Sequence, residues 1–421
     1  MKKRLFTGTK NGFSSIWAGK KNHSLLKNTG DELKKAYVER NEKDLEPVVN
    51  LYDTWADAPD DVLRGMVDGY CTPEESERVV HPQNSKDYLL RLRAVYIADH
   101  TRTWRVFLHL RRIFGKEWSL EKYFSSDAYD AFRSMLGKEE YKKCKDVACG
   151  NIYDNNANGL IFASPHGILS TYSVSLRYFS IYANLALGGF EQEVPWHVRL
   201  NSMRIACRVM LNTEAQDFIF DPRGIIPEKI MNDLKTEWWL NNIFLAGHEF
   251  SHFILGHIKE ENKEEMGFLK PHFKDDTDYR KIYGYTVSQK QEFEADLAAL
   301  NLVDLTDEEY SVYYCAALNW FAILAVYEGV EDSISPPNGF NQTHPGAIAR
   351  YTNLIEKARR PKDFDEKIYV ETLPELVSFW RDIMINDAAE HIEMYEMYGS
   401  AYLDKPNTAW RGKELIDRVD Y

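Results

Sequence analysis

Along most of this chain apolar residues recur three and four positions apart, the spacing that gathers them on one face of an α-helix, while alternating apolar and polar runs are few. The pattern predicts helices over 31–49 and from Ser85 to Phe114, the latter stopped by Gly115. Two shorter helices are expected between 126 and 150, closing near Gly137 and Gly150. Thr72-Pro73-Glu74-Glu75 reads as a helix start, with proline in the first turn and Glu75 placed to complete a capping box. Further helices are expected over 227–258, Gln289–Val303, Asp307–Val330, Pro345–Arg359 and from Leu373 to about Tyr398. Gly159–Ser164 and Asp217–Phe220 are short apolar runs between turn residues and read as strands, with Asp221-Pro222-Arg223-Gly224 as a turn after the second. Such a strand offers an edge to an extended peptide as readily as it serves structure alone. The fold class expected is therefore mainly α with a minor β component and a small sheet.

The pattern also divides the chain. Asn-rich residues 151–158 read as a loop, which marks off an N-terminal helical region, 1–150, from the remainder of the chain. Residues 151–360 then hold the candidate chemistry, and 361–421 form a C-terminal helical extension. The charged, patternless stretch 259–278 reads as an exposed connection or a flap.

Composition narrows the function classes. Of the 421 residues 44% are hydrophobic and 13% aromatic, which excludes a largely disordered chain. A formal charge of -13 argues against nucleic acid and anionic membrane as partners. Residues 1–13 are basic but lack the apolar run of about 7–15 residues that an export signal needs, so a cytoplasmic location is expected. The apolar stretch Tyr313–Tyr327 contains Asn319 and is shorter than the roughly 20 residues of a membrane span, so it reads as a buried helix. Five cysteines without close pairs fit reduced core thiols better than a disulfide framework.

The candidate chemistry begins at His248-Glu249-Phe250-Ser251-His252. On a helix His248 and His252 lie about 40° apart and can converge on one ion, with Glu249 beside it as a general base. Two histidines and a glutamate among Ile243, Phe244, Leu245, Phe253, Ile254 and Leu255 would be costly to bury without a metal or partners. A catalytic zinc takes three protein ligands, and Glu292 is the best third donor. Asp296, one turn later on the same face, is placed to orient a zinc-bound histidine, whereas Glu294 is offset by about 200° and should point elsewhere. His257, about 140° around a continued helix from His252, fits a structural or supporting role better than a ligand role. Trp238 and Trp239 read as core packing. His344, just before Pro345, sits at a rigid helix start able to aim its ring at an oxyanion, although from the residues alone a capping or surface role is the default.

The order HEFSHFILGH (248–257), QEFEADLAAL (291–300) and NQTHPGAIARYTNLI (341–355) resembles the Lit-like phage-exclusion metallopeptidases and, more distantly, the HtpX and CAAX-processing proteases. The resemblance covers about 110 residues and rests on HExxH, ExxxD and THPxxxxR elements in that order. It implies a gluzincin-like helical core, zinc held by His248, His252 and Glu292, and Glu249 as catalytic base. It further implies Asp296 as a supporting residue, a transition-state role for His344, and a structural or substrate-side role for Arg350. Lit-like relatives cut elongation factor Tu in phage exclusion, so a translation factor as protein substrate and a phage-derived activator are what the resemblance implies for partners. The competing expectation is a zinc-stabilised scaffold or regulatory protein without catalysis.

Overall fold

Helix follows helix through most of the chain, as the spacing of its apolar residues requires. The computed structural model describes residues 46–47, 58–124, 127–154, 157–164, 166–219, 221–258, 263–265, 283–287, 289–334 and 345–404. Helices α1 (Asp60–Val67), α2 (Pro73–Val80), α3 (Ser85–Ala98), α4 (Thr101–Phe114), α5 (Leu120–Tyr123), α6 (Asp127–Met135) and α7 (Lys138–Cys144) come first. After a sheet come α8 (Ser175–Leu187), α9 (Trp196–Met210), α10 (Glu228–Ile254), α11 (Gln289–Asn301), α12 (Asp307–Ile334), α13 (Ala347–Lys357), α14 (Leu373–Glu390) and α15 (Ile392–Glu396). The strands are β1 (Glu46–Pro47), β2 (Ala148–Ile152), β3 (Gly159–Ser164), β4 (Gly167–Ser173), β5 (Lys263–Glu265) and β6 (Tyr283–Val287). Mainly α with a small sheet is thus the observed class.

Local chemistry explains several boundaries. At α2 the Thr72 hydroxyl accepts from Glu75 N while the Glu75 carboxylate accepts from Thr72 N, the capping box expected from the sequence. The stretch from Ser85 to Phe114 is two helices, because His100 adopts an extended conformation between α3 and α4 and turns the chain. The helix expected to close near Gly150 ends at Cys144, and Ala148–Ile152 is instead a strand, so the polar loop starts only after it. The helix expected over 31–49 lies outside the described residues apart from the two-residue strand β1. Likewise 259–278 is described only at β5.

Three strands form the centre of the sheet. β2 runs parallel to β4 in the register Ala148↔Leu169, and β3 runs antiparallel to β4 in the register Gly159↔Tyr172. On the other side β6, paired with β5 and β1, meets β3 at Ala163↔Tyr283. Of the expected strand Asp217–Phe220, the described residues 217–219 form no strand. Here the backbone wraps around Arg223, which donates to Glu214, Asp217 and the carbonyls of Ala215 and Asp221. Arg102 also bonds Asp217, and Arg208 bonds Glu214, so three buried arginines face three buried carboxylates, Asp221 included. The Asp217 carboxylate and the flanking carbonyls thus serve guanidinium groups, and the Asp217 carbonyl accepts from Asp221 N in a turn rather than in a ladder.

One apolar core runs from Leu63 to Leu403, and a smaller one joins α3 to the sheet through Tyr88, Leu92, Ile152 and Phe162. Helices α10 and α12 cross that main core. α12 is long and apolar enough to cross a membrane, yet 78% of its apolar stretch is buried inside the protein. Its Phe321 and Tyr313 rings pack edge-on to Phe244 of α10. On the other side of α10, Tyr129 of α6 packs edge-on to Phe250, and the Phe132 ring lies nearby. Trp238 and Trp239 pack against the core as expected, with the Arg177 guanidinium 4.5 Å over Trp238. The five cysteines are free thiols.

Gly247 immediately precedes the two histidines of α10, although glycine costs a helix interior about 1 kcal/mol relative to alanine. The Phe132 ring explains it: a β-carbon at 247 would lie 2.4 Å from Cε2. Gly247→Ala should therefore lower stability by about 1–3 kcal/mol, the range for overpacking, in a urea unfolding curve, instead of raising it as helix propensity alone demands.

Candidate metal centre

α10 carries His248 and His252 on one face, and α11 brings Glu292 against them. His248 Nε2 and His252 Nε2 are 3.1 Å apart, and each is 3.3 Å from one oxygen of the Glu292 carboxylate. These three donors form a buried group able to hold a metal ion. Donors bound at about 2.0–2.1 Å to a tetrahedral ion stand about 3.3 Å apart, so the triangle has the size that such an ion needs.

The charges make the same point. Glu249, Glu292 and Asp296 bring three carboxylates into the interior, and Arg350 brings one guanidinium. A divalent cation would offset the difference, as a proton on His248 does in part without it, since buried carboxylates need compensating charge.

Both histidines turn Nε2 toward the triangle, so Nδ1 is left for support. His248 Nδ1 lies 2.9 Å from Asp296 Oδ1, and Asp296 is gripped by Arg350 through Nε at 2.7 Å and a second nitrogen at 2.5 Å. With Nδ1 protonated, His248 donates to Asp296, which fixes its tautomer and leaves Nε2 a lone pair for a cation. Burial alone would raise the Asp296 carboxyl, but Arg350 and His248 outweigh it and hold the carboxyl below its ordinary value. Arg350 itself is buried under Phe321, 4.7 Å from the ring centroid, and Asp296 holds it charged. Burial also disfavours charge on His248, yet Asp296 and Glu292 overcome it and push the imidazole up to about 10 without a cation. On His252 burial wins, and the pKa falls to about 4.

The structure thus brings together His248, His252, Glu292, Asp296 and Arg350, with Glu249 next in the chain to His248 and 6% exposed. His344 lies outside the described residues. Glu294 stays away from the triangle as its 200° offset requires, with its carboxylate on His257.

Sequence reasoning missed Gly159. A β-carbon there would lie 2.7 Å from Glu249 Oε1, so the first residue of β3 must lack a side chain for the Glu249 carboxylate to keep its place. A glycine opening an otherwise apolar strand was the available signal, since it marks close approach of another group. It missed Tyr129 as well, which belongs to α6 and lies close enough to Glu249 for that carboxylate to contribute to raising its phenol, after burial.

Comparison with protein-family models, curated proteins and solved structures finds no match to this chain.

A cation and a proton compete for the same nitrogens. Below about pH 10 the empty site keeps a proton on His248, so binding must displace it, and acid favours the proton. The apparent affinity for a divalent cation should rise about tenfold per pH unit between about pH 6 and 8. Chelator competition at several pH values measures this, and a flat profile would remove His248 from the ligand set.

Proposed function

We propose that this chain is a zinc-dependent endopeptidase that hydrolyses peptide bonds of a protein target. The observation that carries the reading is the triangle of His248, His252 and Glu292 donors, 3.1 to 3.3 Å apart, with Glu249 adjoining it in the chain. Two imidazoles and one carboxylate with a position left for water are the donor set of catalytic zinc. Zinc, when bound, supplies a Lewis acid for the scissile carbonyl and lowers the pKa of water.

The protein's own groups do the rest. Glu249 takes a proton from the attacking water and passes it to the leaving amine nitrogen. Asp296 and Arg350 keep the His248 ring in one tautomer and one orientation. Gly159 preserves the space in which the Glu249 carboxylate works. His344 is assigned to the oxyanion on its place in the THPxxxxR element alone.

One observation favours a second reading. The site is closed, with His248 and His252 each 3% exposed, which also suits a scaffold that uses zinc only to hold its fold. The two readings part at Glu249. Glu249→Gln should keep the bound zinc and lose cleavage by about 100-fold or more. Protein N-termini newly formed in cells expressing wild type, but not Glu249→Gln, with and without phage challenge, would name the substrate and test both elongation factor Tu and a phage trigger. Cleavage retained in Glu249→Gln refutes the assignment, and equal function of both forms supports the scaffold. Gly159→Ala should fold and bind zinc but lower kcat, since a methyl group there displaces the Glu249 carboxylate rather than any backbone.

A further inference from the structure

His248 has its orienting partner in Asp296, and the second histidine has one that lies outside the ExxxD element. α10 ends at Ile254, and Gly256 adopts the left-handed conformation, φ 72°, which folds the chain back on the helix end. His257 N then donates to His252 O at 2.9 Å, the type of bond that closes a helix at glycine. This reversal places the His257 ring beside the His252 ring, with the two Nδ1 atoms 3.1 Å apart. The other nitrogen of His257 lies 3.2 Å from Glu294 Oε2, and Lys290 reaches the same carboxylate at 3.5 Å.

Donor and acceptor roles along this chain of groups have one consistent assignment. His252 presents Nε2 to the triangle, so its Nδ1 carries the hydrogen and donates to His257 Nδ1, which must accept. His257 therefore carries its hydrogen on Nε2 and donates to the Glu294 carboxylate. Each ring's tautomer is set by the next group, and the last group is anchored on α11, two residues from Glu292.

We infer that His257, backed by Glu294, is the positioning residue of His252: it fixes the tautomer and ring plane in which His252 offers Nε2 to a metal ion. His257 is itself no ligand. The inference rests on the metal-site reading and adds the support of its second imidazole. α11 thereby supplies three carboxylates with three tasks: Glu292 at the triangle, Asp296 on His248, and Glu294 behind His257.

The test uses the whole chain with Zn2+ and Co2+ as probes. His257→Leu fills a similar volume without an acceptor, and it should weaken Zn2+ binding by about 10- to 100-fold in chelator competition. His257→Asn puts an amide oxygen where Nδ1 stands, and it should restore affinity to within about threefold of wild type. Glu294→Gln retains an acceptor for His257 and should cost less than His257→Leu. The visible absorption of the Co2+-loaded protein should change in His257→Leu and return in His257→Asn, a pattern that loss of packing does not produce. If His257→Leu binds Zn2+ as wild type does, or if His257→Asn binds as weakly as His257→Leu, the positioning role is overturned while the metal site stands. If wild type binds neither ion, the metal reading fails and takes this inference with it.

Discussion

Arg350 grips the buried Asp296 carboxylate with two nitrogens, and this pair lets polar groups gather in an apolar interior. It joins α13 to α11, and through His248 it reaches α10, so three helices are locked at one point. Removing either partner would leave an uncompensated charge under Phe321, a loss of about 3–5 kcal/mol in comparable buried pairs. The triangle of donors inherits its rigidity from that lock. A histidine whose ring is already held loses little freedom when it binds an ion, which is why supporting bonds matter to affinity.

Most of the site was legible because helical geometry is local. The four-residue spacing of His248 and His252, and that of Glu292 and Asp296, each placed two side chains on one face, and the structure faces the two pairs toward each other. The capping box at Thr72 was legible for the same reason: all its atoms come from one turn. Arg350 entered by resemblance to a motif, since nothing in its own neighbourhood announces a carboxylate 54 positions away.

The features that could not be read depend on contacts between distant segments. Asp217–Phe220 has the composition of a strand, but Arg223 draws the Asp217 carboxylate and the flanking carbonyls of Ala215 and Asp221 into a buried ionic cluster that includes Arg102 from α4. Gly159 and Gly247 are small because a carboxylate and a phenyl ring arrive from elsewhere, and no periodicity encodes either visitor. For His257 the supporting role was legible, but not the path by which its ring reaches His252. Its angle from His252 holds only for a helix that continues, whereas Gly256 ends the helix and reverses the chain. The glycine is plain in the sequence; the reversal it permits is not.

The aromatic wall behind α10 has an implication for how this molecule can be divided. Tyr129 and Phe132 come from α6, ahead of the three central strands β2, β3 and β4, and they cover Phe250 between the two histidines. A truncated product beginning after the Asn-rich loop would keep every proposed ligand and lose this covering, leaving a phenylalanine and a glycine of the motif helix open to water. Shortening the polypeptide from its front therefore removes the backing of the candidate ion site, and the smallest unit that preserves this donor triangle with its covering extends well upstream of the three donors.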